Sequence, residues 1–296
     1  MDGIDIETPA KINVRLKITG RRSDGYHTLV SVMIPVTLVD RLEIRPTRNP
    51  GVGLSCQGEG VPTGEENLVH RAARAFLSEA RIGQGVSIRL QKRIPVAAGL
   101  GGGSSDAAAT LRGLDTLWPD RLSRPALHRL AASLGADVPF FLAPCPAVAQ
   151  GVGDVLEPLA KWPKLWYILL NPPVEVSTAW VYGQFRIELT TRENDCTFDL
   201  LKTGGFSISR LLENDLEPVT EARFPVVRTI REALMESGAE GALMTGSGPT
   251  VFGVFRTPEG AEKAKKVLVS RDMGKVFLVT NWEEGDGQTS MRTPPG

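Results

Sequence analysis

The chain has 296 residues, 42% of them apolar, and its 34 basic and 34 acidic side chains cancel to a formal charge of zero. A length of this order predicts two domains or one large one, with a normal core. A balanced charge gives no global attraction to nucleic acid or to an anionic membrane, so any anion binding must be local. No apolar run approaches the roughly 20 residues of a membrane helix, and the acidic, polar residues 1–9 do not read as a signal peptide. Three scattered cysteines, Cys56, Cys145 and Cys196, make a disulfide framework unexpected. Three histidines without ligand spacing make zinc unexpected. The bulk reading is a reduced, cytoplasmic globular protein.

Residues 10–18 alternate strictly. Ala10, Ile12, Val14, Leu16 and Ile18 share one face of a strand; Lys11, Asn13, Arg15 and Lys17 share the other. Pattern alone favours a solvent-facing edge for the charged face. A polar loop over 19–26 follows, and a second strand is expected near 28–36. Tyr26 and His27 end the loop, where a tyrosine is more often a packing cap than a stacking ligand. A helix is expected over 66–81 with Gly83 as its stop, and a strand over 86–90 leads to Lys92 and Pro95.

The next segment is Pro95-Val96-Ala97-Ala98-Gly99-Leu100-Gly101-Gly102-Gly103-Ser104-Ser105-Asp106. Glycines let backbone N–H groups turn inward and let a phosphate approach closely. A helix start adds unpaired N–H groups and partial positive charge. The helix is expected over 104–117, with Ser104 or Ser105 as N-cap and Asp106 in its first turn. A flexible turn before an ordinary helix is the plainer alternative, but the loop's length and capping favour phosphate. Neither G-x-x-x-x-G-K-[ST] nor G-x-G-x-x-G occurs, which excludes a Walker loop and a dinucleotide fingerprint; protein-kinase signatures are missing as well.

A helix over 124–134 begins after Ser123 and ends at Gly135. Asp137 then lies between a helix stop and an apolar run. It is either a helix-end hydrogen-bonding group or a site residue tuned by its surroundings. Beyond a break near 161–164, strands over 165–170, 242–245, 250–255 and 276–280 alternate with helices over 224–237 and from 257. This β-α-β-β-α-β order is ferredoxin-like. The turn Gly246-Ser247-Gly248 is either a simple β-turn or a backbone approach to a nucleotide. Two α+β domains are expected, over 1–160 and 161–282, with 283–296 as a flexible tail.

Together these segments resemble the GHMP kinase family, named for galactokinase, homoserine kinase, mevalonate kinase and phosphomevalonate kinase. Residues 95–105 match its nucleotide loop P-x-x-x-G-L-G-S-S with one extra glycine, and Met244-Thr245-Gly246-Ser247-Gly248-Pro249-Thr250 matches its C-terminal glycine turn. Pro9-Ala10-Lys11-Ile12-Asn13, Arg22-Ser23-Asp24-Gly25-Tyr26-His27, Gly135-Ala136-Asp137-Val138-Pro139 and Asn214-Asp215-Leu216-Glu217 occur in the same order. They narrow the resemblance to a branch whose acceptor carries cytosine. Ala97 and Ala98 stand where relatives often carry more glycine.

The resemblance implies a two-domain fold: an N-terminal ribosomal-protein-S5-domain-2-like domain that binds ATP and a C-terminal ferredoxin-like domain. It implies phosphorylation of an alcohol, with Asp137 as base, Lys11 as its charged partner and Asn13 on the sugar alcohol. Tyr26, His27 and Tyr182 would hold the cytosine, Gly246 would approach the substrate, and Asn67 and Lys92 would line the adenine side. Mg²⁺ would accompany ATP without an obvious acidic ligand, and Ser105 is the loop side chain offered for it. The implied partner is a small molecule, not nucleic acid or membrane, and the expected assembly is a monomer or weak homodimer.

Overall fold

The computed structural model describes residues 3–186, 207–283 and 289–292. In chain order its elements begin with β1 (Gly3–Arg21), β2 (His27–Thr47), β3 (Val52–Gln57), α1 (Leu68–Glu79), β4 (Gly85–Gln91), α2 (Gly102–Leu117) and α3 (Arg124–Leu134). A short 3₁₀ turn, Pro139–Leu142, precedes β5 (Ala147–Gln150), β6 (Val155–Pro158), β7 (Trp166–Asn171) and α4 (Thr178–Gln184). Next come α5 (Ile208–Leu211), β8 (Glu213–Asn214), α6 (Glu217–Arg223), α7 (Val226–Glu236), β9 (Gly241–Met244), β10 (Val251–Phe255), α8 (Pro258–Ser270), β11 (Lys275–Thr280) and β12 (Thr289–Arg292).

One sheet runs β12-β1-β2-β4-β3, with β5 on β2, β6 on β5 and β8 beside β1. The other runs β11-β7-β10-β9. That order places the first and third strands of the β-α-β-β-α-β unit at the centre, the ferredoxin-like arrangement read from the sequence.

Three cores hold these layers. Under α1 and α2, Ile4, Ile6, Leu42, Ile44, Ile88 and Leu90 of the first sheet meet Phe76, Leu111 and Leu114. Small residues bring α2 in close: a Cβ on Gly113 would stand 2.6 Å from Ile44 Cδ1. A second core joins the two sheets, with Ile12, Val14, Ile34 and Val36 against Tyr167, Leu169, Phe252 and Val254. The third lies under α7 and α8, around Ile168, Val251, Ile230, Leu234 and Leu268. A register shift between Pro9 and Ala10 divides β1 between cores: Ile4 and Ile6 lie under the helices, Ile12 and Val14 against the second sheet.

Several local expectations are corrected. β1 and β2 are much longer than their alternating centres, because continuous pairing from Ile4↔Ile44 to Arg21↔His27 carries the polar ends. The charged face of β1 is not a solvent edge: Lys11 and Asn13 are each 4% exposed and Arg15 is buried. Period-2 patterning cannot distinguish water from a polar cleft. Within the expected tail, Thr289–Arg292 pairs antiparallel with β1 from Ile6↔Thr289 to Gly3↔Arg292. Main-chain pairing with an open strand edge needs no apolar pattern. Residues 284–288 and 293–296 of that tail lie outside the described residues.

Candidate active site

A cleft of about 1030 Å³ opens beside β1, bounded by the glycine loop, α4 and the turn that joins β9 to β10. Its lining includes residues 95–104, the turn residues Gly246 and Ser247 that abut Gly99, the aromatic residues Tyr26, His27 and Tyr182, and Lys11, Asn13 and Asp137.

The glycine loop is shaped by left-handed backbone at Ala97 (φ +52°), Gly99 (φ +75°) and Gly101 (φ +69°). Lys11 N–H donates to Leu100 O at 2.9 Å, tying the loop to β1. A Cβ on Gly99 would stand 2.3 Å from Thr245 O, so only glycine lets the loop meet the turn at 246–248. Gly101 is the N-cap of α2, with no side-chain cap. The N–H groups of the first helical turn therefore have no intrahelical partner and belong to the cleft wall.

This corrects the expected Ser104 or Ser105 cap. The helix begins at Gly102, which carries Ser105 into the interior, where its hydroxyl meets Thr8 Oγ1 and donates to Pro9 O at 2.6 Å. Ser105 is buried and off the cleft lining; Ser104 is on it. Asp106 is likewise beyond the first turn. Its Oδ2 accepts from Lys92 Nζ at 2.8 Å, while Lys92 also pairs closely with Asp40. Asp40 accepts in turn from the N–H groups of Arg93 and Ile94. Asp106 Oδ1 is buried without a hydrogen-bond partner among the described residues.

The cluster lies directly behind the loop, since a Cβ on Gly102 would stand 2.7 Å from Lys92 Nζ. Burial pushes Asp106 up to about 7, against the pull of Lys92 and with the push of Asp40. Burial alone would lower Lys92, but the two carboxylates outweigh it and hold the ammonium above its usual value. Asn67 and Lys92 both line the cleft, yet their polar groups are committed. Asn67 caps α1 by accepting from Val69 N–H at 2.8 Å and donates to Pro62 O at 2.7 Å. Both residues therefore present surface to the cleft, with their polar groups turned to partners within the fold.

Lys11 Nζ donates to Asn13 Oδ1 at 2.5 Å and stands 3.5 Å from Asp137 Oδ2. The Asp137 side chain is 35% exposed, so of the two readings left open for it, the geometry favours a group facing the cleft. Asn13 Nδ2 donates to Ser31 Oγ at 2.8 Å, and Asn13 N–H to Thr245 Oγ1 at 2.9 Å. Its side chain is thereby fixed between β2 and the C-terminal glycine turn.

At the far end, Tyr26 is 68% exposed and so is not a packing cap. The His27 ring lies 5.5 Å from that of Tyr182, tilted by 38°. Burial, with the charge of Arg21, holds the His27 imidazole below its usual value. Burial and the neighbouring charge of Asp137 push the Tyr182 phenol up. Thr178 and Ser247 hydroxyls meet at 2.8 Å between α4 and the glycine turn. Sequence reasoning missed Asp40, Ser31, Thr178 and Thr245. Asp40, followed at once by Arg41, gave no signal of its own; Thr245 lay within the matched glycine-turn motif but without a role, and Ser31 and Thr178 gave no signal. Among the described residues no three His, Cys, Asp or Glu side chains converge as a metal site, and no helix is long and apolar enough to cross a membrane.

A glycine-rich helix start beside a lysine–carboxylate pair in the cleft of an α+β fold is an arrangement suited to phosphoryl transfer to a small molecule. The GHMP kinases N terminal domain model matches residues 67–144 and the GHMP kinases C terminal model matches 201–273; the chain belongs to the GHMP kinase family. Within it, the chain is 46% identical to a 4-diphosphocytidyl-2-C-methyl-D-erythritol kinase of Pelobacter propionicus, over 91% of this chain and 95% of the relative. It is 41% identical to the enzyme so named in Geobacter sulfurreducens, over 92% and 96%. A crystal structure of 4-(cytidine 5'-diphospho)-2C-methyl-D-erythritol kinase superposes with a TM-score of 0.79 at 39% identity, covering 93% of this chain and 98% of that one. Homoserine kinase from Cytophaga hutchinsonii, 19% identical with a TM-score of 0.77, covers 98% of each chain and shares the fold.

Proposed function

We propose that the protein transfers the γ-phosphoryl group of ATP to the 2-hydroxyl of 4-diphosphocytidyl-2-C-methyl-D-erythritol. The products are the 2-phosphate and ADP, a step of the non-mevalonate (MEP) route to isoprenoid precursors. The observation that carries this reading is the Lys11–Asp137 pair in one cleft with the loop 95–105, on a chain whose curated relatives bear that enzyme's name.

Phosphoryl transfer needs positioning and charge neutralisation more than covalent chemistry. The N–H groups from 99 to 104 would cradle the phosphates, with Ser104 the loop hydroxyl on the cleft. Asp137 would orient the acceptor hydroxyl and take its proton as the new P–O bond forms. Lys11, fixed by Asn13 and by burial, would neutralise charge on the transferring group. Asn13 and Gly246 would hold the sugar alcohol, with Tyr26, His27 and Tyr182 around the cytosine.

Mg²⁺ would supply further charge neutralisation. The donor set suits an ion carried in on the ATP phosphates and completed by water and Ser104, since such ions keep several waters and few protein ligands. Ser105, fully engaged inside the fold, is not that ligand. A monomer or weak homodimer is the proposed working unit. Residues 1–160 would form its ATP-binding part and 161–282 its ferredoxin-like part, and it would work in the cytoplasm, where ATP is at hand.

The reading is tested by ³¹P NMR after incubation with Mg·ATP and the cytidylylated erythritol. One new phosphomonoester on the tertiary carbon is expected. A phosphoryl group on a primary or secondary hydroxyl would overturn the assignment of the 2-position.

A further inference from the structure

The segment Asn214-Asp215-Leu216-Glu217 does not line the cleft, yet it grips two of the pieces that form it. On one side it is fastened to β1. Glu213 and Asn214 pair in parallel with Arg15 and Leu16; Asp215 N–H donates to Leu16 O at 3.0 Å; and Ile18 N–H donates to Asp215 Oδ2 at 2.7 Å.

On the other side it is fastened to the glycine turn. Asn214 Nδ2 donates to Met244 O and to Gly246 O, each at 2.8 Å. Its Oδ1 accepts from Leu216 N–H at 3.0 Å. Two carbonyls on one end and an N–H on the other leave a single orientation for this buried amide. Met244 N–H donates to Glu217 Oε2 at 2.7 Å, and Thr220 Oγ1 donates to Ser247 O at 3.1 Å. The turn so held is the one that takes Asn13 N–H on Thr245 Oγ1 and abuts Gly99 of the phosphate loop.

We infer that Asn214 is a positioning residue, which sets the register of the turn 244–248 against β1 and thereby fixes the spacing between Lys11, Asn13 and the phosphate loop. This inference rests on the kinase reading, and it acts through backbone carbonyls rather than through substrate. A misplacement of about 1 Å in such a frame costs on the order of 100-fold in rate.

The test compares Asn214→Ala and Asn214→Ser with Leu234→Ala, a cavity variant in α7 that shares the third core with Leu216 and Met244 but makes none of the clasp's hydrogen bonds. Each is measured for Tm, kcat, KM and hydrogen exchange at 244–248. Asn214→Ala is expected to lose at least about 10-fold in kcat, with KM for ATP changed less than about 3-fold. Asn214→Ser, which keeps one donor, falls between it and wild type. Leu234→Ala, at a similar loss of Tm, keeps kcat within about 2-fold, because uniform destabilisation of a still-folded enzyme does not move the reacting groups.

A kcat for Asn214→Ala near that of wild type overturns the inference. So does an equal kcat loss in Leu234→Ala at matched Tm, which makes the effect merely structural. If Asn214→Ala is insoluble, the same comparison on Asn214→Ser decides. If wild type turns over no acceptor, the kinase reading fails and hydrogen exchange alone judges Asn214. Faster exchange at 244–248 in its variants but not in Leu234→Ala supports the clasp, and unchanged exchange overturns it.

Discussion

Lys11 Nζ and Asp137 Oδ2 stand 3.5 Å apart, brought together from a strand near the N-terminus and from the segment just past α3. Lys11 is buried and its ammonium is also held by Asn13, whereas the Asp137 side chain reaches the cleft. The pair thus has one fixed member and one that is open to the cleft. Asp137→Asn is expected to keep ATP affinity and fold but to lose at least about 100-fold in kcat. Steady-state kinetics beside a nucleotide-binding titration checks this, and near-full activity would remove Asp137 from the role of base.

The buried Asp40–Lys92–Asp106 cluster predicts a pH signature in stability. Asp106 titrates at about 7 in the fold and near 3.9 when unfolded. Between those values the native state binds a proton that the unfolded state does not. Its contribution is therefore full below about pH 4 and is lost as pH rises through about 7. Asp106→Asn removes the titration. Thermal melts from pH 5 to 8 should show wild type losing stability with rising pH relative to the variant; parallel curves would contradict the placement of Asp106.

The glycine loop makes two opposite predictions. Gly99→Ala forces a Cβ to 2.3 Å from Thr245 O at a positive φ, and overpacking of this kind costs about 1–3 kcal/mol. Its Tm should fall, and activity should fall more than about 10-fold through the displaced loop. Ala97 already occupies left-handed backbone at φ +52°, which costs a non-glycine residue roughly 1–2 kcal/mol. Ala97→Gly should hold or raise Tm, unlike most replacements by glycine; differential scanning fluorimetry of both variants decides.

Tyr182 meets His27 at the end of the cleft proposed for the acceptor. Removing a base-stacking aromatic costs about 1–3 kcal/mol, so Tyr182→Ala should raise KM for the acceptor roughly 5- to 150-fold and leave KM for ATP alone. Tyr182→Phe keeps the ring and should stay near wild type. An effect confined to ATP would put Tyr182 at the wrong end of the cleft.

The sequence carried the ferredoxin-like order, helix α3 with its Ser123 cap, and the glycine loop ahead of α2, because each has a strong local signal: alternation, capping or glycine density. It misplaced the start of α2, since two left-handed glycines replace a side-chain cap and turn Ser105 inward. It left Lys11 and Asn13 open, because a polar face on a strand reads the same toward water as toward a cleft. The Lys92 cluster was not legible at all: Asp40, Lys92 and Asp106 lie far apart in sequence and meet only through the packing of β2, β4 and α2. Thr289–Arg292 escaped because strand addition through the main chain leaves little trace in composition.

The most direct test is ADP release by the purified protein with Mg·ATP and, in parallel, 4-diphosphocytidyl-2-C-methyl-D-erythritol, mevalonate or homoserine. A kcat/KM at least about 100-fold higher for the cytidylylated erythritol is predicted, in line with loss of the base contact at the Tyr182 end. Equal or greater turnover of mevalonate or homoserine, or none with the cytidylylated acceptor, would contradict the account.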